Sequence, residues 1–236
     1  MQENRNSYVA IDLETTGLDP KRERIIEIGA VRVEQGEITG QFSTFVNPRM
    51  ELEPRIVELT GIRDEDLENA PEIEAVLEQL LDFMGDLPLL GHSILFDYSF
   101  LKKACVNHKL SFEKYGVDTL KIARKYLTSL EHKNLEYLCD YYGIEHHAHR
   151  ALADAEATVA LYQRLCERFY NAEDLFFTPH LLQFHVKRDT PATVAQKERL
   201  YRLIKQHKIE WNQDVEKLTR SEASRLTDRI LTEYGR

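Results

Sequence analysis

The stretch Tyr8-Val9-Ala10-Ile11-Asp12-Leu13-Glu14-Thr15-Thr16-Gly17 decides the fold, because an apolar run is followed at once by acidic and turn-forming residues. Such a run predicts a short buried strand that ends in a loop. Side chains two positions apart on a strand project from the same face, so Asp12 and Glu14 are expected to point together. Two carboxylates at the end of a buried strand favour a functional site, and a solvated strand end is the alternative explanation.

The elements that follow predict an α/β protein. Two β-rich segments, 25–33 and 38–46, flank a polar turn with Gly36 and predict an antiparallel hairpin. Short strands are predicted at 87–91 and 117–119. Apolar residues at helical spacing predict helices over 73–83, over 96–105, up to Tyr126, over 135–142 and over 151–169. The expected architecture is a mixed sheet flanked by helices.

The chain is expected to divide into a large α/β domain over residues 1–172, a linker over 173–189 and a small helical module over 190–236. The linker is predicted because this part of the chain shows no clean hydrophobic period. Two capping boxes, Thr193-x-x-Gln196 and Thr219-x-x-Glu222, predict helix starts inside the module.

The composition of the chain excludes several classes of protein. The chain is 42% hydrophobic and 30% charged, as is usual for a globular protein. No apolar run is long enough to cross a membrane, and the first residues lack the apolar segment of a secretory signal. A cytoplasmic protein without a membrane partner is therefore expected. The three cysteines, Cys105, Cys139 and Cys166, are far apart and predict neither a disulfide framework nor a zinc site.

Charge is distributed unevenly along the chain. The net charge is −9, yet residues 180–236 hold 12 Lys and Arg against 8 Asp and Glu, a net of +4. An acidic body can still bind a polyanion if metal ions neutralise part of its carboxylates. The module could follow a phosphate backbone or present a solvated helix face interrupted by Glu198 and Glu210. The basic residues concerned are Lys197, Arg199, Arg202, Lys205 and Lys208.

Asp97 is a third acidic candidate. It follows Gly91-His92-Ser93-Ile94-Leu95-Phe96 at the beginning of a predicted helix. An acid in a first helical turn is also favourable for the helix dipole alone, so Asp97 by itself does not establish a site.

His149 and Asp154 form the last candidate pair. If both lay on one helix, a separation of five residues would turn their side chains about 140° apart. They converge only if His149 lies in the loop and Asp154 lies in the opening turns of the helix. His146 and His147 are interpreted as surface residues. The helix itself is rich in alanine, which allows its backbone to approach the sheet.

Three motifs together resemble those of the DEDDh exonuclease family. They are Asp-x-Glu-Thr-Thr-Gly after the first strand, Gly-His-x-x-x-Phe-Asp about eighty residues later, and His-x-x-x-x-Asp at the closing helix. The likeness is strongest to the branch that includes the proofreading (epsilon) subunit of bacterial DNA polymerase III and its stand-alone relatives. It covers roughly residues 7–170 and implies a ribonuclease H-like fold with a mixed five-stranded sheet.

The resemblance also implies a division of roles. Two Mg²⁺ or Mn²⁺ ions would be held by Asp12, Glu14, Asp97 and Asp154, since hard cations prefer oxygen ligands. His149 would be the general base that deprotonates the attacking water, a task that suits the near-neutral pKa of imidazole.

Substrate contacts are carried over at Thr15, Thr16, Thr60 and Ser93. Two of these depart from the usual family pattern: Ser93 stands where Asn is frequent, and Thr60 stands where His often precedes Gly-Ile. Ser93 can still donate a hydrogen bond at this position.

The expected function is a metal-dependent 3′→5′ exonuclease that releases nucleoside monophosphates from nucleic-acid 3′ ends. Single-stranded or frayed DNA is the favoured substrate, and an RNA-trimming exoribonuclease is the alternative. A non-catalytic nucleic-acid-binding protein on the same fold is the alternative of another class. A DNA polymerase partner cannot be read from this chain.

Overall fold

The computed structural model describes residues 6–146, 149–171, 173–211 and 214–235. The chain forms two compact units, one up to His185 and the other from Val186 onward. The strands of the first unit are β1 (Tyr8–Thr15), β2 (Ile25–Glu34), β3 (Glu37–Phe45), β4 (Leu89–Gly91), β5 (Tyr115–Asp118) and β6 (His180–Leu181). Its helices are α1 (Pro54–Thr60), α2 (Asp64–Leu67), α3 (Ile73–Met84), α4 (Leu95–Asn107), α5 (Thr119–Tyr126), α6 (Leu135–Tyr142) and α7 (Ala151–Phe169).

The six strands form one mixed sheet in the order β3-β2-β1-β4-β5-β6. The β1–β2, β2–β3 and β5–β6 pairs are antiparallel, whereas β1–β4 and β4–β5 are parallel. The predicted α/β class with a mixed sheet flanked by helices is confirmed. The sheet has six strands where five were predicted.

The sixth strand lies in the segment 173–189 that was predicted to be a linker. A 3₁₀ turn at Leu175–Phe177 and strand β6 occur there, and β6 pairs with β5 through His180 and Leu181. The first unit therefore extends to His185 rather than to residue 172. A two-residue strand is too short to show an alternating pattern, which is why the hydrophobic period missed it. Helices α1 and α2 were likewise not predicted.

The alternation along β1 assigns its side chains to two cores. Val9, Ile11 and Leu13 pack on one face with residues of α3 and α4. Tyr8 and Ala10 pack on the other face with residues of α5, α6 and α7. Because strand side chains alternate, Asp12 and Glu14 continue the second face, the face that α7 covers.

Helix α7 comes very close to the sheet at Gly29 of β2. A Cβ atom on Gly29 would lie 2.1 Å from the carbonyl carbon of Ala151 and 2.1 Å from the amide nitrogen of Leu152. Only a glycine leaves space for this backbone contact. Gly29 pairs with Asp12 across the β1–β2 ladder, so the beginning of α7 lies beside the acidic part of β1.

The second unit contains α8 (Val194–His207) and α9 (Arg220–Tyr234), with a 3₁₀ turn at Val215–Lys217 between them. Both predicted capping boxes are present, at Thr193 with Gln196 and at Thr219 with Glu222. The unit has its own core, to which both helices contribute: Leu200, Leu203, Val215, Leu226 and Ile230. Within the described parts of both units, no helix is long and apolar enough to span a membrane.

Candidate active site

Asp12 and Glu14 lie where the buried part of β1 ends. Residues 8–11 are buried, whereas Asp12 and Glu14 are partly exposed with the buried Leu13 between them. Asp154 reaches the same place from the first turn of α7. One carboxylate oxygen from each of Asp12, Glu14 and Asp154 lies within 4.8 Å of the other two. The structure thus brings together three of the predicted acidic residues.

Asp97 adjoins this trio from the first turn of α4 and is only 4% exposed. Its Oδ1 accepts a hydrogen bond of 3.1 Å from the Leu13 amide. Strand β4 pairs with β1 only at Val9 and Ala10, so the Leu13 amide lies beyond that pairing. Asp97 therefore satisfies a backbone group of β1 between the two acidic residues. We call Asp12, Glu14, Asp97 and Asp154 the carboxylate cluster.

The acidic residues of the cluster destabilise one another's charged forms. Burial raises the pKa of Asp12 well above its ordinary value, and Asp97, Asp154 and Glu14 add repulsion in that order. Burial likewise raises the pKa of Asp97. Burial, with repulsion from Asp154 and Glu27, raises the pKa of Glu14 to about 7, and Arg150 opposes this. A set of buried and partly buried carboxylates with raised pKa values is typical of a functional site.

The donor set fits a hard divalent cation. Carboxylate oxygens are the ligands that Mg²⁺ and Mn²⁺ prefer, and a cation between Asp12, Glu14 and Asp154 would offset their mutual repulsion. The cluster is thus a candidate metal centre on the evidence of its charge, its burial and its geometry.

His149 lies in the loop before α7, as convergence with Asp154 requires. It has a left-handed backbone with φ of 65°, it is exposed, and its amide donates to Asp154 Oδ2 at 3.0 Å. The imidazole that contacts Asp154 belongs instead to His146, whose Nε2 meets Oδ1. Because the His146 side chain is only 6% exposed, the interpretation of His146 as a surface residue was wrong. His147 lies outside the described residues.

The threonines predicted to contact substrate make local hydrogen bonds. The Thr15 hydroxyl donates to the Gly17 carbonyl at 2.7 Å, and the Thr16 hydroxyl donates to Glu23 at 2.6 Å. The Thr60 hydroxyl donates to the Ile56 carbonyl at 2.9 Å at the end of α1. Substrate contact by these residues stays a prediction.

Ser93 occupies a tight turn between β4 and α4. Its φ is 76°, and its amide donates to Asp118 Oδ1 at 3.0 Å. Asn tolerates the left-handed region better than most residues, so the backbone here would also accept the Asn that is frequent at this family position. Substrate contact by Ser93 also stays a prediction.

Two functional candidates were not predicted from the sequence. Glu27 of β2 is 2% exposed and faces Glu14 across the ladder. Arg150, at the N-cap of α7, forms an ion pair with Glu27 at 3.1 Å. A single acid inside the apolar run Ile25-Ile26-Glu27-Ile28 was the available indication, because strand alternation places it on the same face as Gly29.

Comparison with known proteins places this geometry in a family. A family model described as Exonuclease (RNase T) matches residues 9–162. The DNA polymerase III subunit epsilon of Aquifex aeolicus is 37% identical over 166 residues, covering 70% of this chain and 82% of that protein. A DNA polymerase III PolC-type of Oceanobacillus iheyensis is 34% identical over 241 residues, covering 96% of this chain. This chain spans only 17% of that polymerase.

Solved structures agree with the sheet and helices described above. Exonuclease X in complex with 5′ overhanging duplex DNA matches with a TM-score of 0.58 and 25% identity, covering 70% of this chain and 95% of that one. The nuclease domain of 3′hExo, a DEDDh family member bound to rAMP, shares the fold with a TM-score of 0.60 and 22% identity, covering 70% and 93%. This chain therefore belongs to the exonuclease family, in agreement with the family resemblance of its motifs.

Proposed function

We propose that this chain hydrolyses DNA from its 3′ end to nucleoside monophosphates, with two divalent ions held by the carboxylate cluster. The observation that carries the proposal is the meeting of Asp12, Glu14 and Asp154 oxygens within 4.8 Å, at the end of a buried strand. Bound Mg²⁺ or Mn²⁺ would supply a nucleophile at neutral pH and stabilise charge on the attacking and leaving oxygens.

The four carboxylates would share the binding of these ions. Asp12 and Glu14 project from β1 and Asp154 from α7, so the ions would lie between the strand and the helix. Asp97 closes the site from α4 while its hydrogen bond to the Leu13 amide keeps α4 aligned with β1. Rigid elements hold all four groups, which favours a preorganised site.

His149 would remove the proton from the attacking water. Its main-chain amide is bonded to the Asp154 carboxylate, so its side chain originates at the rim of the cluster. The left-handed backbone at His149 turns the chain just before α7 begins. An imidazole is suited to proton transfer near neutral pH.

DNA is the substrate that the relatives favour. The two sequence relatives described above are named as DNA polymerase III proteins, and Exonuclease X was solved with DNA. Within this proposal the enzyme acts in the cytoplasm, on 3′ ends that are single-stranded or frayed. RNA is the competing substrate, and the contacts that the site makes with the 2′-OH would decide between RNA and DNA.

Matched, end-labelled DNA and RNA oligonucleotides test the proposal. We expect shortening of DNA from the 3′ end that depends on Mn²⁺ or Mg²⁺ and stops when chelator is added. With the label at the 5′ end, the shortened products appear as a ladder. Preferred shortening of RNA would replace the DNA assignment. Binding without hydrolysis of either substrate would identify a non-catalytic nucleic-acid-binding protein.

Asp12→Asn is the variant that links the reaction to the cluster. It keeps the size of the side chain and removes a charged ligand. We expect kcat/KM to fall by roughly three orders of magnitude, because metal-ion catalysis supplies several kcal/mol and each 1.4 kcal/mol is tenfold. Near-wild-type turnover by folded Asp12→Asn protein would contradict the assignment.

We also propose that the second unit adds contacts to the phosphate backbone. Arg199, Arg202 and Lys205 are exposed on α8 at spacings of three residues, so they lie along one side of the helix. Glu198 is the acid among them. Net positive charge on this unit, against a net negative first unit, supports attraction of a polyanion.

A further inference from the structure

Glu27 is a buried acid that the proposed chemistry does not use. It is 2% exposed and lies in β2 among apolar neighbours. A buried carboxylate costs free energy unless hydrogen bonds and an opposite charge compensate it. Glu27 has both: its oxygens accept from Arg150 Nη2 at 3.1 Å, from Arg150 Nε at 3.3 and 3.4 Å, and from the Ala151 amide at 3.2 Å.

These bonds attach the beginning of α7 to strand β2 near its first residues. Arg150 is the N-cap residue of α7 and Ala151 is its first residue. Asp154 lies in the same first turn, and His149 precedes Arg150 directly. His149 and Asp154 therefore lie within four residues of Arg150, whose side chain is bonded to Glu27.

Glu27 also lies close to the carboxylate cluster, on the strand next to β1. Glu27 pairs with Glu14 across the β1–β2 ladder, so the two side chains lie on the same face of the sheet. Glu27 is nevertheless outside the trio whose oxygens converge, and its charge is directed to Arg150. This arrangement distinguishes Glu27 from a metal ligand.

A second contact holds Arg150 from the neighbouring strand. The Arg150 guanidinium lies 5.5 Å from the ring centroid of Phe45 on β3. The planar guanidinium can thus bond to a carboxylate while its face lies over an aromatic ring. Close packing at Gly29 brings α7 near the sheet, and these directional contacts at Arg150 determine how the helix start is oriented.

We infer that Glu27 is a positioning residue which, through Arg150 and the Ala151 amide, fixes Asp154 and His149 relative to Asp12 and Glu14. The inference rests on the proposed metal site, because positioning of Asp154 has meaning only if Asp154 is a ligand. Arg150 then has a structural task rather than direct contact with the substrate.

The test compares Glu27→Gln, Arg150→Ala and Arg150→Lys in the full chain. Mn²⁺ binding without substrate is measured by electron paramagnetic resonance, and kcat and KM are measured separately on a DNA oligonucleotide. We expect Glu27→Gln and Arg150→Ala to weaken Mn²⁺ binding and lower kcat by about 10- to 100-fold, as loss of outer-shell partners does. KM should stay unchanged. Arg150→Lys should recover part of the loss, since it keeps the charge.

Glu34→Gln is the matched control. Glu34 also lies at the sheet in β2 and pairs with Arg32 Nε at 2.6 Å, but it precedes the β2–β3 turn rather than facing the cluster. This variant should leave Mn²⁺ binding and kcat unchanged. If burial makes Glu27→Gln unable to fold, the Arg150 variants decide, because the Arg150 side chain is 55% exposed.

The outcomes separate this inference from the proposed function. Asp154→Ala is the reference: if it leaves Mn²⁺ binding intact, the proposed metal site is wrong. If Asp154→Ala loses Mn²⁺ while Arg150→Ala retains wild-type Mn²⁺ binding and kcat, the positioning role is overturned. A raised KM with intact Mn²⁺ binding in Arg150→Ala would also overturn it, because Arg150 would then contact the substrate.

Discussion

At the scale of single residues, the fold places the Asp12 and Glu14 carboxyls close together, where burial and repulsion among carboxylates disfavour their charged forms. Burial and neighbouring acids raise the pKa values of both carboxyls, so the folded, metal-free protein binds protons more tightly there than the unfolded chain does. A group of this kind contributes stability at low pH that is lost as pH rises through its folded pKa. For Glu14 this loss falls between its ordinary value of 4.5 and about 7.

Thermal unfolding with and without Mn²⁺ tests this electrostatic balance. Metal-free protein should lose on the order of a few kcal/mol of stability from Glu14 between pH 4.5 and about pH 7, and Asp12 should add to the loss as the pH rises. Since Mn²⁺ binds the ionised carboxylates, the rise in Tm on adding Mn²⁺ should be larger at about pH 8 than at about pH 5.5. Asp12→Asn should raise the Tm of metal-free protein at the higher pH and reduce the gain from Mn²⁺.

Glu37→Gln provides the control for this measurement, because Glu37 is an exposed acid on β3. It should change neither the metal-free Tm nor the gain from Mn²⁺. An equal gain in Tm at both pH values for the wild-type protein would contradict the raised pKa values at the cluster.

The residues of the carboxylate cluster could be predicted from the sequence, because strand periodicity and the three motifs indicate the same site. The period of a strand placed Asp12 and Glu14 on one face, and the three motifs supplied Asp97 and Asp154. Glu27 could not be singled out in the same way, since its importance depends on Arg150, which is distant in sequence and contacts it only in the fold. The contact of His146 with Asp154 could not be predicted either, because it depends on the conformation of a loop, which has no hydrophobic period.

At the scale of secondary-structure elements, the approach of α7 to β2 determines where Asp154 lies. The helix start contacts Gly29 through backbone atoms, and Ala151 and Ala155 are fully buried at the interface. Small side chains on both elements let the helix lie close to the strand. A methyl group on Gly29 would occupy the same space as the helix backbone, so α7 must move if one is added.

Gly29→Ala is therefore expected to displace the start of α7. We predict a loss of stability of about 1 to 3 kcal/mol, as for other overpacked sites. A fall in kcat of at least about tenfold should accompany it, because Asp154 moves with the helix. Denaturant unfolding and single-turnover hydrolysis measure the two effects.

Gly40→Ala on β3 is the comparison for this change. Its added Cβ would lie 3.2 Å from a ring carbon of Phe83, a side chain that can shift, rather than against a helix backbone. It should cost less stability and leave kcat unchanged. Equal effects of the two substitutions would show that contact with α7 is not what Gly29 provides.

Elements with a strong period were predicted well, and the short strands β4 and β5 were also predicted, whereas α1, α2 and β6 were not. The hairpin of β2 and β3 and the long helix α7 have clear alternation or helical spacing and appear where expected. Helix α2 has four residues and β6 has two, so neither offers enough positions for a period to be recognised. Pairing with β5 creates β6, which is a tertiary effect.

At the scale of the whole molecule, charge differs between the two units. The net charge of −9 conceals a positive segment from residue 180 onward. Metal ions would neutralise the cluster locally, and the basic side of α8 would attract the phosphate backbone. Catalysis would thus belong to the first unit and electrostatic attraction of the substrate to the second.

Salt dependence of DNA binding tests the proposed role of the second unit. The comparison uses Asp12→Asn protein, in which DNA should be degraded very slowly, with and without the triple change Arg199→Gln, Arg202→Gln and Lys205→Gln. Neutralising the three residues should weaken binding most at low salt. On single-stranded DNA, the slope of log K against log salt should fall by about 0.7 for each phosphate that the variant can no longer neutralise.

A triple change of equal charge in the first unit controls for net charge: Lys109→Gln, Lys121→Gln and Arg164→Gln, all exposed. This control should alter the slope less than the change on α8. Identical slopes for the α8 variant and the unchanged protein would reject a role of α8 in phosphate binding.

The carboxylate cluster as the metal centre is tested most directly by anomalous diffraction from crystals soaked in MnCl₂. We predict two Mn²⁺ peaks bound by oxygens of Asp12, Glu14, Asp97 and Asp154, with weakening or loss of at least one peak in Asp12→Asn crystals. Crystals that show no Mn²⁺ at these carboxylates, at a concentration that supports DNA hydrolysis in solution, would contradict the assignment.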